Sequence, residues 1–131
     1  MREILFRGKG NKKYNDGDWY YGVPIQCDDG DWQICTNCSK RTVVAETIGE
    51  YTGLTDKNGT RIFEGDIIKC ISRFDAKDMV VIFETAEFHL VDCQRYKNYT
   101  ECCGYKYFGT LETEVIGNIH DNPELLRRDT E

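Results

Sequence analysis

The chain has 131 residues, the size of one ordinary domain and enough to bury a core without disulfides or a metal. Apolar residues make up 40% and aromatics 12%, too many for a disordered acidic chain, while 17 basic against 23 acidic residues give a net charge of −6 that disfavours nonspecific binding to phosphate backbones. No apolar run approaches the roughly 20 residues of a membrane span, and MREILFRGKG lacks the basic-then-apolar build of a signal peptide, so a cytoplasmic protein without a membrane partner is expected.

Charge is uneven at the start. Residues 1–13 hold five bases (Arg2, Arg7, Lys9, Lys12, Lys13) and one acid, and residues 14–31 hold five acids and no base, a pattern that local pairing explains. Ile4 and Phe6, then Trp19, Tyr21 and Val23, then Trp32 and Ile34 alternate with polar neighbours, which predicts strands that bury those side chains and solvate the opposite face. Asn15-Asp16-Gly17-Asp18, Asp28-Asp29-Gly30 and Asn58-Gly59 supply turns between them. Val43, Val44 and Ile48 have helix-like spacing, which predicts a short helical turn near 41–50. That stretch is also the one sub-boundary within a single domain spanning 1–131, separating N-terminal hairpins from a C-terminal part.

The second half is denser in core. Ile67, Ile68, Cys70 and Ile71, then Val80 to Phe83, then Phe88, Leu90 and Val91 are strand-length and rich in branched or aromatic side chains. Arg73 to Asp78 reads as a polar turn and Asp92 to Tyr107 as an extended loop. A last strand is predicted to end near His120, followed by a short helical turn from Pro123 and a frayed tail.

Seven cysteines, an odd number without a secretion signal, read as reduced thiols. Cys35-Thr36-Asn37-Cys38 has the spacing of a zinc knuckle, but closing a four-ligand site requires Cys27 and one of Cys102 or Cys103 to meet it, so no metal or other cofactor is expected. Cys70, Cys93, His89 and His120 are the remaining candidate ligands, and neither histidine has a nucleophile partner visible in sequence. Glu64 and Asp66, two apart, would share a strand face that Asp92 or Glu112 could join for a two-metal hydrolase; an acidic chain contains such pairs by chance. Tyr96, Tyr99, Tyr105, Tyr107 and Phe108 among Arg95, Lys97 and Lys106 form a small patch of the type that stacks on single-stranded nucleic acid.

The stretch TIGEYTGLTDKNGTRIFEGDII, the ending EVIGNIHDNPELL and the start REILFRG together resemble the YopX proteins of phages and prophages, whose members carry a YTGLxDKNGxxIxEGDIV block and an ExGxIxxNPEL ending. The resemblance covers essentially the whole chain. It departs at Ala45, where the family pattern has proline before Glu46-Thr47, and neither CTNC nor Cys102-Cys103 belongs to it. It implies a mainly β fold with a small SH3-like barrel in the C-terminal part, on which the N-terminal hairpins pack, and a phage or prophage origin. It carries no activity. Tyr51, Thr52, Gly53, Asp56, Asn58, Gly59, Glu64, Gly65, Asp66, Gly117 and Pro123 are the residues that match the motif, and turn and bend chemistry accounts for them: Asp66 can accept backbone amides, and Gly65 can take a conformation closed to other residues.

The functional expectation is therefore a noncatalytic accessory protein of the host cytoplasm that binds an unidentified host or phage protein, as a monomer or a homo-oligomer. A nucleic-acid-binding small barrel is the alternative, and a metal-dependent hydrolase ranks below it.

Overall fold

The computed structural model describes residues 3–37, 39–98 and 112–126. The chain divides into two compact units, Met1–Gly53 and Leu54–Glu131. The division falls inside a strand, just beyond the 41–50 stretch. The helical turn predicted there is a 3-10 turn, Ala45–Thr47, held by the Thr47 hydroxyl, which donates to the Val44 carbonyl (2.6 Å) and accepts from the Lys9 amide (2.8 Å).

Five strands form the antiparallel sheet of the N-terminal unit: β1 (Phe6–Lys9), β2 (Trp19–Gln26), β3 (Trp32–Cys35), β4 (Lys40–Val43) and β5 (Gly49–Thr55), in the order β4-β3-β2-β1-β5. The predicted turns join them. Asn15 Oδ1 accepts the Gly17 amide at 3.0 Å and Asp29 Oδ1 the Asp31 amide at 2.9 Å, each side chain closing its own turn. The sheet curls back on itself: Gly10 and Val43 form an isolated bridge, flanked by Asn11 N–H to Thr42 O (2.9 Å) and Val44 N–H to Lys9 O (2.8 Å). Glycine permits the curl. A Cβ on Gly22 would lie 2.0 Å from the Cys35 carbonyl oxygen, a distance no side chain tolerates.

The alternation on β2 is read correctly in sequence but assigned to the wrong side. Tyr21, Val23 and Ile25 are 47, 57 and 41% exposed, whereas the glycine-bearing face, with Tyr20, Gly22 and Pro24, lies on the side of buried Ile34 and Val43. Ile4 is exposed as well. The period fixes two faces but does not say which is inner. Here close approach of backbones decides, and only glycine allows it.

In the C-terminal unit the end of β5 turns through Asp56–Gly59 into β6 (Arg61–Phe63). β7 (Asp66–Ile71), β8 (Ala76–Glu84), β9 (Glu87–Asp92) and β10 (Glu112–Asn118) then form an antiparallel sheet ordered β10-β7-β8-β9. Both of its faces are covered, which is why its strands read as near-continuous apolar runs. Ile68, Cys70, Met79, Val81, Phe88 and Leu90 pack with Ile62 on one side. Ile67, Val80 and Cys93 pack with Ile116, Ile119, Leu125 and Leu126 on the other, where the 3-10 turns Cys93–Asn98 and Pro123–Leu126 contribute. β10 ends two residues before His120.

Three expectations change here. The mainly β class holds, but among the described residues the SH3-like barrel is replaced by an open sheet with β10 and β9 at its edges. The Asp56 turn reaches β10 by single bonds and not by a strand ladder, which leaves the sheet unclosed. The polar stretch Arg73–Asp78 is a turn only in its first half: the Ser72 amide donates to the Asp75 carbonyl (2.8 Å) to close it, and β8 begins at Ala76, with Lys77 and Asp78 paired to Cys70 and Lys69. Of the loop expected at Asp92 to Tyr107, Asp92 belongs to β9 and Cys93–Asn98 is helical; residues 99–107 lie outside the described residues.

The β8–β9 connection places Thr85 (φ 55°) and Ala86 (φ 63°) in the left-handed region, where a two-residue hairpin turn favours Asn-Gly. Replacing the pair with Thr85→Asn and Ala86→Gly should raise the unfolding free energy by about 1 kcal/mol, measured by urea denaturation.

Candidate functional site

The motif residues converge on backbone. Asp56, 7% exposed, accepts the amides of Asn58 and Thr60 on Oδ1 (2.9 Å each) and that of Val115 on Oδ2 (2.8 Å). Gly59 N–H returns to Asp56 O (3.0 Å), and Lys57 N–H donates to Thr113 O (2.9 Å), so the DKNG turn is stitched to β10 on both sides of its carboxylate. Burial alone would push the Asp56 carboxyl up. The amides of Val115, Thr60 and Asn58 outweigh it and hold the group below its ordinary value.

Asp66 is 1% exposed and its Oδ2 accepts the Phe63 amide at 2.8 Å, pinching the chain between β6 and β7. Gly65 makes the bend with φ at 91°; its N–H reaches Val81 O (2.8 Å), and its carbonyl accepts Ile119 N–H (2.9 Å). At the other end of the motif, β10 shifts register between Val115 and Gly117. Asn118 Oδ1 then accepts the amides of His120 (3.0 Å) and Asp121 (2.9 Å), and Asn122 Oδ1 accepts the Asn118 amide (3.2 Å), leading into the turn that Pro123 opens. Tyr51 and Thr52 are buried in β5, and Gly53 follows them with φ at 90°. Half-buried Glu64 adds its negative charge to the burial that pushes the Tyr96 phenol up.

The residues proposed for catalysis do not come together. Asp66 faces Phe63 N–H, Asp92 Oδ1 accepts the Gln94 amide (2.9 Å) at the end of β9, and Glu112 lies exposed opposite Ile71 at the start of β10. Among the described residues no three His, Cys, Asp or Glu side chains group as metal ligands. Cys27 and Cys35 are free, half-buried thiols, while Cys38, Cys102 and Cys103 lie outside the described residues. His89, on the opposite face of β9 from Phe88 and Leu90, sets Nε2 3.0 Å from the Glu84 carbonyl oxygen and 3.5 Å from Glu87 Oε1.

Of the nucleic-acid patch, Tyr96 packs against the second core of the C-terminal unit, while Arg95 and Lys97 are exposed. Arg7 of the basic N-terminal stretch, 6% exposed, lies over the Trp19 ring at 4.5 Å. Tyr99, Tyr105, Lys106, Tyr107 and Phe108 lie outside the described residues.

Two surface features remain. On the Ile67 side of the C-terminal sheet, a cleft of about 500 Å³ is lined by Lys69, Asp78, Asp92, Cys93, Gln94 and Glu124, among others. Its charges are mixed, and its thiol is inert: burial, then the charges of Asp78 and Asp92, push Cys93 up to about 12. The second is the outer face of β2. Register places Tyr21 beside Arg7, Val23 beside Cys35 and Lys40, and Ile25 beside Gln33 and Thr42, so three exposed apolar side chains run in line along one strand. Gly8, Gly10 and Gly22 at strand positions were the sequence signal that this face, and not the other, is the outer one.

A family model described as YopX protein matches residues 5–127. The chain belongs to the YopX family. Among curated proteins none matches it. The crystal structure of protein EF1440 from Enterococcus faecalis is similar to this YopX chain with a TM-score of 0.56 at 21% identity, covering 97% of this chain and 100% of that one. That likeness speaks to the fold alone.

Three outcomes follow for this YopX protein. Asp56→Ala should lower the unfolding free energy by about 3 kcal/mol, since three amides lose a charged acceptor. Because the folded carboxyl sits below its ordinary value, its stabilisation is complete above the ordinary carboxylate range and is lost as pH falls through the folded value; in urea titrations from neutral to acid pH, Asp56→Asn should flatten that part of the slope. Iodoacetamide labelling of the native protein at mildly alkaline pH, read by peptide mass spectrometry, should modify Cys27 and Cys35 well before Cys93.

Proposed function

We propose that this YopX chain is a noncatalytic protein-interaction module of a phage or prophage, acting in the host cytoplasm on a host or phage protein. The observation that carries the reading is the outer face of β2, where Tyr21, Val23 and Ile25 stand exposed in a row. Isolated exposed apolar residues are common on protein surfaces; three at period two on one strand make a continuous apolar strip of the sort that protein partners cover. The family's acidic motif supports the same reading from the other side, because Asp56 and Asp66 are committed to backbone amides and have no geometry for acid–base work. The negative charge of the chain and the engagement of Arg7 with Trp19 weigh against a nucleic-acid partner.

The test compares affinity capture from infected or lysogenic cells by the tagged wild type and by a Val23→Lys/Ile25→Lys variant of unchanged circular dichroism. A specific protein enriched by the wild type and lost from the variant is expected. Equal capture by both, or no specific capture at all, overturns the reading. Titration of labelled single- and double-stranded DNA and RNA at low salt is expected to give no saturable binding, and binding there would put the nucleic-acid reading in its place.

A further inference from the structure

The outer face of β2 is apolar at its middle and oppositely charged at its ends. Alternation and register assign Arg7, Lys9, Gln33, Cys35, Lys40 and Thr42 to the same face as Tyr21, Val23 and Ile25. None of these is acidic. Beyond Ile25 the chain enters the β2–β3 turn, where Asp28, Asp29 and Asp31 are all exposed. At the other end, Lys9 pairs in register with Trp19, and Lys12 and Lys13 follow it in the chain. Asp16 and Asp18 are exposed near this end as well; Asp16 is drawn away by its hydrogen bond to the hydroxyl of Tyr20, whose side chain belongs to the opposite face, and the three lysines outnumber the two acids.

Such a strip is complementary to itself when turned end for end. We propose that its occupant is a second copy of this chain, stacked face to face and antiparallel, with a two-fold axis beside Val23. This rests on the reading of the β2 face as a binding surface and names what covers it in the free protein. The axis sets Val23 against Val23 of the other copy and Tyr21 against Ile25, and it lays each acidic β2–β3 turn over the lysine end of the opposite strand. A parallel stack would bring the two acidic turns together, so charge selects the antiparallel arrangement. The strip is narrow beside the roughly 800 Å² per partner of a stable interface, so the dimer is a weak one with a Kd in the micromolar range and is sensitive to salt. A protein partner docking on the same face competes with it.

Sedimentation equilibrium of the purified full chain, from about 1 to 300 µM, brackets that range. Reversible association limited at the dimer is expected, weakened by salt, and weakened at least tenfold by Val23→Lys, which sets two ammonium groups against each other on the axis. Val23 is exposed, so the variant should keep the wild-type circular dichroism. Photocrosslinking from p-benzoylphenylalanine at position 23 should map to residues 21–25 of the other copy. Phe74→Ala, at the most exposed aromatic among the described residues of the other unit, should leave association unchanged. A monomer at every concentration, a dimer indifferent to Val23→Lys, one abolished by Phe74→Ala, or crosslinks mapping elsewhere would each overturn the proposal. If self-association fails while Val23-dependent capture of another protein persists, only the second copy is ruled out; the reverse result leaves the dimer and removes the external partner.

Discussion

A carboxylate withdrawn from water is tolerated only where donors replace the lost hydration, and Asp56 obtains all of its replacements from main chain. Two of its three donors close its own turn; the third belongs to β10, 59 residues later. One side chain therefore sets a local conformation and a long-range register together. The bond to Val115 also lies next to the place where β10 shifts register, between Val115 and Gly117. Without it, both the amide of Val115 and the edge of the sheet would need another partner. Asp66 does the same work at shorter range, and the carbonyl and amide of Gly65 extend it to Val81 and Ile119. The C-terminal sheet is thus organised from a hairpin outside its strands.

That arrangement explains why this half was the legible one. Asn-Gly, Glu-Gly-Asp and Asn-Pro are local chemistry, and local chemistry is written in consecutive residues. The hairpin, the bend, the strand from Ile67 and the turn from Pro123 all appear where the residues predict them. The partners of the carboxylates were not legible. Nothing in the spacing of Asp56 and Val115 marks them as neighbours, and an aspartate bound to three amides looks in sequence like one waiting for a metal. The length of β8 was missed for a related reason: exposed Lys77 and half-buried Asp78 are polar strand-end residues that pair through backbone, which polarity does not report.

The N-terminal unit shows the opposite failure. Its strands and turns are local and were read, but the side of β2 that is buried depends on how closely β1, β3 and β4 approach it. Large aromatic and branched residues at Trp19, Tyr21 and Val23 look like core because most such residues are. Here the inner positions are taken by Gly8, Gly10 and Gly22, since a curl this tight leaves no volume for side chains there. The apolar residues are displaced to the outside by geometry, and the same constraint that keeps side chains out of the inner face leaves Tyr21, Val23 and Ile25 exposed.

These two units divide the chemistry of the chain between them. In the C-terminal unit the acidic motif residues are used up internally, as hydrogen-bond acceptors for a fold whose turns need them. In the N-terminal unit the apolar residues are left over, because the fold cannot take them in. Function is sought where a residue is not explained by the structure around it. By that criterion the repeated Asp, Asn and Gly of the motif, which attract attention first, are accounted for, and attention moves to the exposed apolar side chains of Val23 and Ile25. Leaving a strip of apolar side chains in water is unfavourable by roughly 25 cal/mol for each Å² exposed. Strand propensity recovers part of that cost, since branched and aromatic side chains favour extended backbone, and the remainder is what a surface covering the strip would offset.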